Sequence, residues 1–268
     1  MTETAKNKKN DSSPEVRDDQ PKQDQYVTIS VETLILTTIV IILGITTLIY
    51  MFINFRSMRE DLDLIMTALG IQKEKTYEQA STSIDDDAIL GDKSKAEIAI
   101  VEFSDYECPY CKRHFEQVFP QIKSELIDTG KAIYVYRDNI VIPGHNPTAT
   151  QEAIAAECSR NAGGDDMYYR FHEAIYQTTE SNNTNMNDTQ IAAIADELGV
   201  KSADYDACLT SQPAQDELDA DIAAAAEAGL RGTPGFIVGK VQDDGSVEGY
   251  LISGAQPFDE FKEVIDKL

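Results

Sequence analysis

Residues 101–114 read Val-Glu-Phe-Ser-Asp-Tyr-Glu-Cys-Pro-Tyr-Cys-Lys-Arg-His, and this stretch decides the fold. A short β-type run, Ala99 to Phe103, leads into the cysteines, and the amphipathic run after them is typical of a helix. A strand that delivers two cysteines to the first turn of a helix places Cys108 at the helix N-terminus. There the backbone N–H groups and the helix dipole stabilise a thiolate.

Cys108 and Cys111 are therefore predicted to form a redox-active dithiol. The two intervening residues put Cys111 one helical turn further on, close enough for a disulfide to form. Pro109 suits the first helical turn, because its missing N–H would have no intrahelical partner there. Cys108 is then the nucleophile, and Cys111 resolves the mixed disulfide through which exchange proceeds. A lone Cys-x-x-Cys could instead be half of a metal site or an inert structural bridge.

The same stretch resembles the active-site strand, loop and helix of the thioredoxin superfamily. Its residues, Glu-Phe-Ser-Asp-Tyr before Cys-Pro-Tyr-Cys, are similar to the active-site sequence of the DsbA-like branch of exported thiol–disulfide oxidoreductases. The similarity covers residues 87–268. It implies cysteine-containing exported proteins as substrates, a membrane redox partner that recycles the dithiol, and no cofactor beyond the redox-active disulfide itself.

The resemblance also assigns supporting residues to the site. Thr233 and Pro234 match the family's cis-proline loop, whose backbone faces the dithiol and pairs with the substrate chain, although Gly-Thr-Pro alone is an ordinary turn. Glu102 lies where the family often has a buried acid that relays protons for the second cysteine, although it could also be a carboxylate at the rim. Pro109 and Tyr110 set the environment of the helix start. Tyr110 stands where strongly oxidising relatives have a histidine, which argues against very strong oxidising power.

The remaining two cysteines and the three histidines are given no catalytic or metal-binding role. A four-cysteine zinc site would show a second Cys-x-x-Cys, so no metal centre is predicted, and two cysteine pairs in an oxidising compartment fit better. Some relatives have a second, non-catalytic disulfide at positions matching Cys158 and Cys208, although two buried free thiols are the alternative. The histidines are taken as ordinary residues, with the first able to bias the field at the dithiol: His114, His145 and His172.

The formal net charge of the 268 residues is −24. A chain this acidic is repelled by nucleic acid, so we expect no nucleic-acid partner. A solubilising acidic surface accounts for the charge. Calcium binding by some carboxylates is the alternative, but no ligand loop of the EF-hand type is visible.

The N-terminal part of the chain predicts a membrane anchor. Residues 1–32 are polar and are expected to form a disordered cytoplasmic tail. Thr33 to Ile53 is a run of 21 residues without a charge, which is long enough to span the bilayer and predicts a transmembrane helix over 33–54. A cleavable signal peptide and a buried globular helix are the competing interpretations, but no Ala-x-Ala-like site follows and no polar face is present. Lys6, Lys8 and Lys9 favour a cytoplasmic N-terminus.

The predicted fold class is α/β, a thioredoxin fold with an inserted helical domain, preceded by the transmembrane helix and a stalk. Residues 55–86 are predicted to be the stalk and linker, and 87–268 the DsbA-like domain. Apolar residues recur at helical spacing over about 145–230, which marks the insertion. The order is β-α-β, helices, then β-β-α.

The leading functional hypothesis is an extracytoplasmic thiol–disulfide oxidoreductase of the cell membrane that forms or exchanges disulfides in exported proteins. One alternative is a disulfide isomerase or reductase that a membrane partner keeps reduced. The other is a module that presents two thiolates to a soft metal.

Overall fold

The computed structural model describes residues 30–68 and 75–268, which fall into two units. The first unit contains helix α1 (Val31–Ala68), whose 38 residues include the predicted transmembrane segment and part of the predicted stalk. By length and composition, Val31–Leu62 is the one stretch of the described residues that could cross a membrane as a helix, and none of its apolar window is buried. Most of the predicted tail, residues 1–29, lies outside the described residues, as does the part of the stalk at 69–74.

The second unit is built on a six-stranded mixed sheet. Its strands are β1 (Gln79–Ser83), β2 (Ile89–Leu90), β3 (Ile98–Ser104), β4 (Ala132–Asp138), β5 (Gly235–Val241) and β6 (Ser246–Ser253). Their order across the sheet is β1-β6-β5-β3-β4-β2. The central strand β3 pairs parallel with β4 and antiparallel with β5, so the loops that follow β3 and β4 and the loop that precedes β5 meet at one end of the sheet.

Helices connect these strands in the predicted order. After β3 come α2 (Pro109–Gln117), α3 (Phe119–Ile122) and a π-helical turn (Lys123–Ile127). A 3₁₀ turn (Pro143–His145) and five helices lie between β4 and β5: α4 (Thr148–Gly163), α5 (Asp165–Thr178), α6 (Asp188–Leu198), α7 (Ala203–Cys208) and α8 (Gln212–Glu227). Helix α9 (Phe258–Ile265) follows β6. The predicted thioredoxin fold with a helical insertion is confirmed.

Strand β3 separates two apolar clusters because its side chains alternate between the faces of the sheet. Ala99, Val101 and Phe103 pack on the face covered by the end of α8. Ile100 packs on the opposite face, in the cluster that contains α2, α5 and α9. Glu102 shares that second face by its position in the strand, so the fold places a carboxyl group among apolar side chains behind the dithiol.

The predicted domain boundary at residue 87 is too late. Strand β1, which was assigned to the linker, pairs with β6 over five residues, from Gln79 opposite Tyr250 to Ser83 opposite Ser246. Its sequence, Gln-Ala-Ser-Thr-Ser, has no large apolar side chain. An edge strand does not need one, because backbone hydrogen bonds alone can hold it in the sheet. Strand β2 lies in the stretch predicted as a turn-rich entry and pairs with β4 through two residues.

The start of this unit is also fastened to its last helix. The Tyr77 hydroxyl donates a hydrogen bond of 2.8 Å to Glu263 Oε2, and Lys75 forms an ion pair with Glu260. The Tyr77 ring lies 6.1 Å from the ring of Tyr250 on β6. The chain therefore contacts α9 and β6 before it enters the sheet.

A disulfide joins Cys158 on α4 to Cys208 at the end of α7. The Cα atoms are 5.6 Å apart, and the two residues are separated by 50 positions in the sequence. Cys158 is buried, so the bridge lies at the edge of the helical core rather than on the surface. It ties the middle of the insertion to its first helix.

We expect the variant Cys158→Ala/Cys208→Ala to lose about 2–4 kcal/mol of unfolding free energy, because a long loop is no longer closed in the unfolded chain. Denaturant unfolding of the full chain in detergent, followed by circular dichroism, measures the loss. Cys108→Ala/Cys111→Ala is the matched control, since it removes two sulfurs and leaves this bridge intact. An unchanged midpoint in the first variant, or free thiols at Cys158 and Cys208 in the unreduced wild type by peptide mass spectrometry, would contradict the bridge.

Candidate active site

Cys108 is the residue at which the turn after β3 becomes helix α2. It is the N-cap residue, with φ −81° and ψ 119°, and Pro109 occupies the first helical turn as predicted. Its N–H donates to the carbonyl oxygen of Asp105 (3.0 Å), and its carbonyl accepts from the N–H of Lys112 (3.1 Å). The sulfur therefore stands beside helix N–H groups that have no carbonyl partner within the helix.

The loop that precedes β5 closes over this cysteine. Thr233 and Pro234 are joined by a cis peptide bond, and Cys108 Sγ lies 3.6 Å from the carbonyl oxygen of Thr233. Sheet register explains the placement, because Gly235 pairs with Phe103 at the end of β3. The structure thus brings together Cys108 and the Thr-Pro pair, which are 125 positions apart in sequence.

Accessibility differs from the simplest expectation for a nucleophile at a helix N-terminus. The exposed fraction is 2% for Cys108 and 0% for Cys111, so the predicted order holds but the difference is small. Tyr110 between them is the exposed member of the motif, at 57%, and the Arg113 guanidinium lies 5.0 Å from the centre of its ring. Only a small part of the Cys108 surface is therefore open to an incoming sulfur.

The two thiols have opposite acidities. The pKa of Cys108 is lowered to about 5, first by the hydrogen bond with the Cys111 thiol. Thr233 and the backbone N–H groups of Cys111 and Tyr110 lower it further, while burial opposes them. Burial raises the pKa of Cys111 well above its usual value, and the hydrogen bond and charge of Cys108 add to that effect. At neutral pH the pair therefore consists of one thiolate and one thiol.

Glu102 lies behind Cys111 within a group of hydroxyls. Ser104 Oγ donates to Glu102 Oε1 at 2.7 Å, and the Tyr134 hydroxyl donates to Glu102 Oε2. Ser104 also lies 3.2 Å from the Tyr176 hydroxyl and forms a hydrogen bond with Cys111. Glu102 is 3% exposed, so the predicted buried carboxyl, and not a rim carboxylate, is what the structure contains.

Burial raises the pKa of Glu102 to about 8, against the Ser104 hydrogen bond, and the charge of Cys108 raises it further. The group is consequently protonated at neutral pH and can exchange its proton slightly above it. That property is what a proton relay to a thiol requires.

His114 carries no charge at this site. It is 1% exposed, and burial lowers its pKa to about 3, so the imidazole is neutral at physiological pH. Its Nε2 lies 3.8 Å from Glu102 Oε2. The predicted electrostatic influence of His114 on the dithiol is therefore replaced by a packing role against Phe236 and Phe261.

Three hydroxyl residues around Glu102 were not predicted from the sequence: Ser104, Tyr134 and Tyr176. Ser104 could have been found, since it lies two positions after Glu102 on the same face of a strand. Tyr134 and Tyr176 come from β4 and α5, and no local pattern relates them to the dithiol.

The described residues contain one group of carboxylates that could hold a cation, formed by Asp87, Glu217 and Asp221. Their nearest oxygens lie within 4.8 Å of one another. Arg137 reaches into this group, with Nε 2.6 Å from Asp87 Oδ2 and 3.4 Å from Asp221 Oδ1. A guanidinium thus already supplies positive charge there.

A thioredoxin family model matches residues 65–267 of this sequence. The chain belongs to the thioredoxin family. Among solved structures, alpha-DsbA1 of Wolbachia pipientis is 28% identical with a TM-score of 0.59, and the match covers 69% of this chain and 91% of that one. BdbD of Bacillus subtilis shares the fold, at 20% identity and a TM-score of 0.58, over 72% of this chain and 98% of its own. The predicted DsbA-like relationship is confirmed.

Curated relatives of this thioredoxin-family chain have related names. A candidate protein-disulfide oxidoreductase of Rickettsia felis is 32% identical over 163 residues, which are 59% of this chain and 55% of that protein. Disulfide bond formation protein D of Bacillus subtilis is 30% identical over 95 residues, 35% of this chain and 40% of its own length. The chain spans about half the length of the curated relatives it matches.

We expect the alkylation rate of Cys108 in the reduced full chain to rise with pH through a midpoint of about 5, because the thiolate is the reacting form. Iodoacetamide labelling at a series of pH values, with peptide mass spectrometry, measures this midpoint. Cys111→Ala removes the hydrogen bond that lowers the pKa most, so its midpoint should be higher. A wild-type midpoint near the ordinary thiol value of about 8.5 would contradict the assignment.

Glu102→Gln should stabilise the protein increasingly as pH rises from about 4.5 to about 8. In this window the unfolded chain releases the proton of Glu102 while the native chain retains it, so the wild type loses stability and the variant does not. Denaturant unfolding at several pH values measures the difference. A constant difference across the window, or a gain confined to lower pH, would show that Glu102 is ionised in the folded protein.

Proposed function

We propose that this thioredoxin-family chain is an extracytoplasmic thiol–disulfide oxidoreductase that forms or exchanges disulfides in exported proteins. The observation that supports it most is the pairing of a low-pKa thiol, Cys108, with a high-pKa thiol, Cys111, against a cis Thr-Pro loop. A dithiol of this kind has one good leaving group and one protected resolving thiol.

In the oxidising direction, a substrate thiolate attacks Cys108 Sγ and breaks the Cys108–Cys111 bond. A mixed disulfide forms, and Cys111 leaves as a thiolate that takes up the proton that Glu102 can supply. A second substrate thiolate then attacks the substrate sulfur, and Cys108 leaves as a thiolate. The substrate loses two electrons and gains a disulfide, while the enzyme becomes a dithiol. A membrane redox partner that accepts two electrons would restore the enzyme disulfide.

The direction of this reaction follows from the stability of the reduced pair. A pKa of about 5 at Cys108 stabilises the reduced enzyme at neutral pH relative to an ordinary dithiol, and a more stable dithiol makes its disulfide a stronger oxidant. This favours an oxidant over the isomerase or reductase that is kept reduced. A soft-metal module would leave the Thr233 loop without a role.

The Thr233 loop is proposed to hold the substrate chain beside Cys108. The Thr233 carbonyl faces the cysteine sulfur at 3.6 Å, and the strand that follows begins at Gly235. An extended substrate segment can pair with backbone groups at this point, as an added strand does at a sheet edge. Such pairing depends on backbone atoms and is compatible with many client sequences.

The proposed location is the cell membrane, with a single pass and the catalytic unit outside. The most apolar 18 residues within Val31–Leu62 have a mean hydropathy of 2.4, and the uncharged run Thr33 to Ile53 presents apolar side chains on all sides, which suits a lipid environment. The lysines before it favour an N-terminus in the cytoplasm. The acidic composition suits a soluble extracytoplasmic surface.

In a disulfide-exchange assay with a dithiol peptide, the full chain in detergent should oxidise the peptide, and Cys108→Ser should abolish the reaction. With a disulfide-bonded peptide in place of the dithiol, reduced Cys111→Ser should accumulate a peptide–Cys108 mixed disulfide, since the Cys108 thiolate opens the peptide disulfide and no resolving thiol is present to release it. Gel shift and mass spectrometry measure both products. Cys158→Ala/Cys208→Ala is the control that should retain turnover. Equal rates for wild type and Cys108→Ser would overturn the proposed nucleophile.

A further inference from the structure

His145 makes a buried ion pair with the active-site turn. It is the last residue of the 3₁₀ turn Pro143–His145, and its Nδ1 lies 2.7 Å from Asp105 Oδ2. The side chains are 5% and 0% exposed, so the pair is screened from water. A fixed contact of this kind, 40 positions apart in sequence, joins the loop after β4 to the loop after β3.

Asp105 in turn shapes the backbone that presents Cys108. Its Oδ1 accepts the N–H of Glu107 at 2.9 Å, and its carbonyl oxygen accepts the N–H of Cys108 at 3.0 Å. Both carboxylate oxygens of Asp105 are therefore used, one by the turn and one by His145. The carboxylate belongs to the scaffold of the nucleophile.

Two further acidic residues lie near this pair, on β4 and α4. Asp138 at the end of β4 interacts electrostatically with Asp105, and Glu152 on α4 does so as well. Burial raises the pKa of each of these carboxyl groups and of Asp105 itself, whereas the hydrogen bond and charge of His145 lower the pKa of Asp105.

The loop after α5 completes the enclosure. Glu107 accepts hydrogen bonds from Thr179 Oγ1 at 2.9 Å and from the N–H of Asn183. Asn182 forms a side-chain hydrogen bond with His145, and its N–H donates to the Glu107 carbonyl at 2.9 Å. Asn182 and Asn183 both have positive φ, at 55°, so this loop holds a costly conformation where it contacts the turn.

We propose that His145 is a positioning residue for the Cys108 thiolate: its imidazolium neutralises Asp105 inside the active-site turn, so that no uncompensated carboxylate faces the sulfur. The proposal rests on the proposed function only in taking Cys108 as the nucleophile. An unpaired buried carboxylate would both destabilise the turn and repel a thiolate three residues away.

The positive charge of His145 is lost as pH rises. Burial by itself would lower the pKa of His145, but the hydrogen bond and charge of Asp105 raise it, with a smaller contribution from Cys108. The pKa of His145 therefore lies above the ordinary histidine value, which favours the imidazolium. As pH rises through its raised pKa, its contribution to stability is lost and Asp105 faces Cys108 unpaired.

The test is the pH midpoint of Cys108 alkylation in the reduced full chain. His145→Gln keeps a hydrogen-bond donor for Asp105 but removes the charge, so the midpoint should rise by about one pH unit or more. His172→Gln is the matched control, because His172 is a buried imidazole whose pKa burial lowers to about 3 and which carries no charge. Its midpoint should equal that of the wild type.

Asp105→Asn in the His145→Gln background should return the midpoint toward the wild-type value, because the uncompensated charge is gone. If His145 were only structural, the midpoint of the double variant should lie further from the wild-type value than that of His145→Gln, since two changed side chains would disturb the turn more than one. Asp105→Asn alone, which should not raise the midpoint, provides the same test should His145→Gln not fold. An unchanged midpoint in folded His145→Gln, or an additive rise in the double variant, would overturn the proposal.

These outcomes are independent of the proposed activity. If the wild type fails to oxidise peptides while the His145→Gln midpoint rises, the proposed function is wrong and the role of His145 stands. If peptides are oxidised but the midpoint does not move, the role of His145 is wrong and the function stands.

Discussion

The hydrogen bond between the sulfurs of Cys111 and Cys108 is the interaction on which the site depends. It is the largest influence that lowers the pKa of Cys108, and it also holds the proton on Cys111. One contact therefore produces two different thiols from the same residue type. The fold supplies the conditions for it by starting a helix directly after a buried strand and by excluding water from both sulfurs.

Buried ionisable groups lie near the two sulfurs, one within β3 and one directly after it. Glu102 lies behind Cys111 as a protonated carboxyl held by hydroxyls, whereas Asp105 lies before Cys108 and pairs with His145. The first places an exchangeable proton near Cys111, and the second pairs an acidic with a basic side chain beside Cys108. Burying ionisable groups usually costs stability relative to an apolar core, and functional sites commonly contain such groups.

Local pattern was sufficient to predict the strand, the dithiol, the helix start and the helical insertion, because each has its own periodicity or motif. The Thr233–Pro234 loop required a family resemblance in addition. Strand β1 could not be predicted, since small polar residues held by backbone pairing leave no apolar pattern. The Asp105–His145 pair was missed for another reason: its partners come from separate loops that only the parallel register of β3 and β4 brings together.

The attachment of β1 has a mechanical consequence. Helix α1 and the sheet belong to one covalent chain, so a pull on α1 relative to the sheet would reach the sheet through Lys75, Tyr77 and β1. The contacts to Glu260 and Glu263 would carry the load first, followed by the β1–β6 ladder, beginning at Gln79. Loss of that ladder would remove an edge strand only, since β6 and β5 lie between β1 and β3.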